Sequence, residues 1–112
     1  MVTTQSMIEK IVERCFQQIR KILLSKSKEY TNEGDRLANF RRAAAMQDIS
    51  PEQALVGMWS KHVISITDLA TWAANNDPRL TPEIVDEKIV DTINYMILLE
   101  ALFQERFSQK DK

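Results

Sequence analysis

Glu87, Asp91 and Asn94 stand in a strongly apolar helical stretch that continues through Met96-Ile97-Leu98-Leu99, where acids should be scarce. A helix turns by roughly 100° per residue, which lays these three side chains along one narrow stripe. Val90 and Ile97 border that stripe on one side, Ile84 and Leu102 on the other. An isolated buried charge costs several kcal/mol. Carboxylates in such company must therefore be paired, hydrogen-bonded, protonated or bound to a cation. Two acids and an amide that offer oxygens together suit a hard divalent cation. The same stripe also reads as a structural polar network at a contact between helices or subunits.

A second group lies one helix earlier. Lys61, Ser65 and Asp68 share a helical face, with Gly57 a turn before them. Glycine inside a helix costs about 1 kcal/mol relative to alanine, so its presence predicts close approach by another backbone or a ligand. Asp68 would complete a metal set with Glu87 and Asp91, three carboxylates plus Asn94, of the kind that Mg²⁺ accepts while keeping several waters. Lys61 is placed to meet an anion such as a phosphate, or to form a salt bridge with Asp68 or Glu87. His62 is the only histidine, but the wheel groups it with Leu55, Met58, Ile66 and Leu69, about 100° from Lys61. It is expected as a hydrogen-bonded core or interface residue rather than a catalyst.

A third group surrounds the segment from Lys26 to Asp35, which feeds into Asn39-Phe40-Arg41-Arg42. Loops held between rigid helices often carry recognition. Tyr30, Asn39 or Phe40 would contact a nucleobase, while an arginine from Arg36, Arg41 or Arg42 would meet phosphates. Asp35 and Asn39 also read as local helix caps, and lysine-rich loops are commonly just solvated. Glycine-rich phosphate loops, zinc-protease motifs, nucleophile elbows and EF-hand spacing do not occur.

The elements that must position these groups are all helices. Met7, Ile8, Ile11, Val12, Cys15, Phe16, Ile19, Ile22 and Leu23 recur at three- and four-residue steps, with Ser6 and Glu9 as a capping box. The polar segment from Ser25 to Gly34 reads as a loop. Asp35 then caps a shorter helix that runs to about Met46. Ser50-Pro51-Glu52-Gln53 starts a third helix, which ends near Ala74 before Asn75-Asn76-Asp77-Pro78. Thr81-Pro82-Glu83 starts a fourth that continues to about Phe107, leaving 108–112 as a flexible tail. Short connections predict one domain over 1–112, an antiparallel four-helix bundle. The fourth helix is apolar around most of its circumference (Val85, Ile89, Ile93, Met96, Leu99 and Phe103), which predicts burial by a second copy, as a homodimer or higher homo-oligomer. Trp59 and Trp72 would also suit such a contact.

Composition narrows the partners. Fifteen basic side chains against sixteen acidic ones give no support for general nucleic-acid binding or for attraction to an anionic membrane. The longest unbroken apolar run, Met96 to Leu99, is far too short to cross a bilayer. The first residues form no signal-peptide core, and the one cysteine, Cys15, reads as a small core residue. A cytoplasmic protein is expected.

Three runs carry a resemblance: Lys28-Glu29-Tyr30 to Ala44, Gly57-Met58-Trp59-Ser60-Lys61-His62, and Asp86-Glu87-Lys88-Ile89-Val90-Asp91-Thr92-Ile93-Asn94-Tyr95. In this order they resemble small phage-encoded proteins grouped with the nucleotide-modification-associated domain. More distantly they look like the MazG-like all-α pyrophosphohydrolases. The resemblance covers residues from about 20 to 105. It implies a helical bundle that oligomerises, with acids from two adjacent helices holding Mg²⁺ to split a nucleoside triphosphate into monophosphate and pyrophosphate. That group carries Glu-x-x-Glu on one helix and Glu-x-x-Asp on the next. Here Lys61, Ser65 and Asp68 occupy the first helix, and the second pair becomes Glu87 and Asp91 at a four-residue step.

The expected function is thus Mg²⁺-dependent hydrolysis of a (deoxy)nucleoside triphosphate in phage nucleotide metabolism, in the host cytoplasm. Asp91, Glu87 and Lys61 would be catalytic. Tyr30, Asp35, Asn39, Phe40, Arg41, Arg42, Lys61 and Asn94 would bind the nucleotide. The alternative is a protein that sequesters a nucleotide or nucleotide-derived signal without hydrolysing it, for example to counter host signalling.

Overall fold

The computed structural model describes residues 3–25 and 35–110, and it is all-helical, with no strand among the described residues. The helices are α1 (Thr4–Arg20), α2 (Ala38–Gln47), α3 (Pro51–Ala74) and α4 (Pro82–Lys110). The chain forms two compact units, Met1–Arg36 and Leu37–Lys112. None of the helices is long and apolar enough to cross a membrane.

In the first unit α1 is capped three residues earlier than expected. Thr3, not Ser6, is the N-cap: its hydroxyl oxygen accepts from the Ser6 N–H at 3.1 Å. The Ser6 hydroxyl donates back to the Thr3 carbonyl. The predicted apolar periodicity is present, but α1 contains no buried residue, and Met7, Ile8, Ile11, Val12 and Phe16 are all exposed. Beyond Arg20 the helix widens into a π-type turn over Lys21–Ser25. Arg36 closes this unit by donating from Nη2 to the Ile22 carbonyl at 2.8 Å.

The second unit is built on local stop and start signals. Helix α2 begins at Ala38 with Leu37 as N-cap and no side-chain cap bond, two residues beyond the expected cap position at Asp35. It ends on Asp48, whose left-handed backbone (φ 55°) lets the Ile49 N–H reach the Ala44 carbonyl and the Asp48 N–H reach Ala45. This is a Schellman closure made without glycine. Asn76 (φ 50°) does the same at the end of α3, with Asp77 N–H bonded to the Trp72 carbonyl and Asn76 N–H to Ala73. At the predicted start of α3 a capping box is complete: Ser50 accepts from the Gln53 N–H, and Gln53 Oε1 accepts from the Ser50 N–H. Thr81 caps α4 through the Ile84 N–H. Helix α4 runs past Phe107 to Lys110, so the expected tail over 108–110 is helical; residues 111–112 lie outside the described part.

Helix α3 packs against both α2 and α4. Contacts between Glu52 and Arg106 and between His62 and Tyr95 show α3 and α4 running antiparallel. Leu37, Phe40, Leu55 and Leu102 form the core cluster, with Met58, Trp59, Tyr95, Leu98 and Leu99 packed on it. Trp59 is thus core-facing, whereas Trp72 lies under the Arg79 guanidinium, 4.6 Å from its carbon to the ring centroid. Arg79 is also held by both carboxylate oxygens of Asp77, and these contacts fix the α3–α4 connection.

Leu55 is fully buried, so Leu55→Ala should lower unfolding stability by about 2–5 kcal/mol through lost contacts and a residual cavity. Ser50→Ala should lower it by about 1 kcal/mol through the lost cap. Urea titration would measure both, and a Leu55 variant with an unchanged midpoint would contradict this core.

Candidate functional site

Antiparallel packing obliges α4 to turn one stripe toward α3, and the stripe it buries includes Val90, Asn94 and Leu102. Asn94 is 6% exposed, and its Oδ1 has no hydrogen-bond donor. Asp91, a turn earlier, is half-buried, and Glu87, a further turn toward the helix start, is exposed. Burial along the stripe therefore rises from Glu87 to Asn94.

On α3, Lys61 and Asp68 are exposed and Ser65 is half-buried. The Ser65 hydroxyl donates to the Lys61 carbonyl at 3.2 Å, bonding to its own helix. Asp68 contributes to the field that raises the Arg79 pKa, an effect dominated by the Asp77 hydrogen bond. Among the described residues no group of three or more His, Cys, Asp or Glu side chains is gathered to hold a metal ion. The three carboxylates Asp68, Glu87 and Asp91 are thus not drawn together in this arrangement. At Gly57 a Cβ would meet nothing within 4 Å, so among the described residues no other backbone approaches it closely.

His62 behaves as its position on the wheel predicts, half-buried and turned from Lys61 toward α4. Its ring lies 4.6 Å from that of Tyr95, at a tilt of 42°. Phe40 meets the same tyrosine edge-on at 6.1 Å and is 6% exposed. This burial corrects its expected role: Phe40 packs the core and presents no open face to a base. Of the other expected nucleotide contacts, Asn39 and Arg42 are exposed, and Asp35 is exposed but engaged. Arg41 forms an ion pair with Glu105. Tyr30 and the surrounding 26–34 lie outside the described residues.

The strongest electrostatic feature was not visible in the sequence. Glu52, only 8% exposed, receives two hydrogen bonds from Arg106, Nε to Oε2 at 2.6 Å and Nη2 to Oε1 at 2.7 Å. Glu52 and Arg106 are 54 positions apart, so no local spacing could announce the pair. With Arg41, Glu105, Leu102 and Gln109 they line a cleft of about 200 Å³ where α2, the start of α3 and the end of α4 meet. Two arginines and two glutamates already neutralise one another there.

Comparison of the chain with protein-family models, curated proteins and solved structures finds no match to any of them.

The Arg106 hydrogen bonds hold the Glu52 carboxyl below its usual pKa, against the opposing effect of burial. The folded chain thus favours the ionised form more than the unfolded chain does. The stabilisation is complete above the ordinary glutamate range and is lost as pH falls below about 4.3. Glu52→Gln should lower stability at pH 7 by about 1–3 kcal/mol, tempered by solvent around Arg106, and should flatten the decline in acid. Urea midpoints from pH 7 to 3 would test this; identical acid slopes for both proteins would refute it.

Proposed function

We propose that this chain is a nucleotide-handling protein whose reaction is Mg²⁺-dependent hydrolysis of a nucleoside triphosphate to monophosphate and pyrophosphate. The observation that carries the reading is Asn94, a buried amide with an unpartnered oxygen on the same stripe as Asp91 and Glu87. Leaving a buried acceptor unsatisfied costs about 1–3 kcal/mol, and such an exception calls for an explanation, an ion or ligand among them. The oxygens of Asn94, Asp91 and Glu87 suit a hard cation, which when bound would supply Lewis-acid polarisation and an acidified water. Asp68 stands exposed in the field of Arg79 and is left out of this donor set. Asp91 is the residue to orient the attacking water and take its proton. Lys61 and Arg42, both exposed, supply positive charge for the phosphates. The order of motifs along the chain, with its resemblance to the phage nucleotide-modification group and to MazG-like enzymes, supports the choice of substrate.

A second reading is nucleotide binding without turnover. It is favoured by Lys61, which stands where the resembled enzymes keep an acid. The proposal includes a homo-oligomer. Its support is a second apolar seam on α4, in which Ile89, Phe103 and Phe107 are exposed and Ile93 and Met96 are half-buried at heptad-like steps. The reading also implies a cytoplasmic setting, that of the host cell for a phage-encoded chain.

Incubation with a panel of triphosphates and Mg²⁺ should release pyrophosphate, and Asp91→Ala should abolish release while leaving the melting temperature near that of the parent. Binding with unchanged ligand recovered by chromatography would select the second reading, and no nucleotide-dependent thermal shift would end both.

Asn94→Leu separates a site from a structural polar network. Removing an unpartnered buried acceptor should raise stability by about 1 kcal/mol while eliminating the nucleotide- and Mg²⁺-dependent shift. A destabilised variant that still binds would show Asn94 to be structural.

Phe103→Glu should reduce the mass measured by light scattering to that of a single chain. A parent protein that is already monomeric at micromolar concentration would remove the oligomer from the proposal.

A further inference from the structure

We draw no further inference here: the strongest candidate, the exposed apolar face of α1 formed by Met7, Ile8, Ile11, Val12 and Phe16, has the width of a helix made for burial, but nothing in the structure shows what covers it.

Discussion

Helix α4 has to bury one stripe against α3, and that stripe includes an amide between valine and leucine. The candidate site of the Leu37–Lys112 unit depends on this constraint. Val90 and Leu102 supply apolar contact toward the two ends, and the polar middle is tolerated because they do. Asn94 is placed by the helix rather than by a loop, so its carbonyl is held where water has little access. A polar atom fixed in this way is an unfavourable choice for a purely structural helix and a reasonable one for a binding surface. The reading of nucleotide chemistry rests on that contrast.

The electrostatics divide the hairpin into two ends of different character. Near the start of α3 and the end of α4, Glu52 and Arg106 satisfy one another, and Arg41 and Glu105 do the same. The first pair is the stronger stabiliser, because its carboxylate is buried and its geometry is bidentate. The second is more than a third exposed on both sides and contributes little on its own. At the opposite end Asp77 and Arg79 close the connection, so the acids of the stripe between these ends are not consumed by either clasp.

Much of the framework could be read from local sequence because local chemistry decides it. Ser50-Pro51-x-Gln53 and Thr81-Pro82 mark helix starts through side chains that accept from nearby N–H groups, and both starts fall where predicted. The stop after Ala74 was equally legible, since Asn76 accepts a left-handed backbone more readily than most residues. Sequence alone points to a start of α2 at Asp35, a good cap by type, whereas Leu37 and Phe40 pack into the core and the helix begins at Ala38. In sequence Phe40 likewise resembles a recognition residue because of its neighbours Asn39 and Arg41. Only the fold reveals that Leu55 and Leu102 surround it. The stripe of Glu87, Asp91 and Asn94 was visible from periodicity alone. Whether Asp68 joins it in one cluster was not, because the wheel gives a direction on one helix and nothing about the facing one.

Two contacts far apart along α4 lock its alignment with α3: Tyr95 against His62 and Arg106 against Glu52. Inserting or deleting one residue between Tyr95 and Glu105 would swing one anchor by about 100° and slide it by about 1.5 Å relative to the other. Both could not then be kept. Within that span the unit therefore tolerates substitution but not a one-residue change of length. A change of chain length in the bend over Asn75–Leu80 leaves both anchors in register, because it lies outside the span between them.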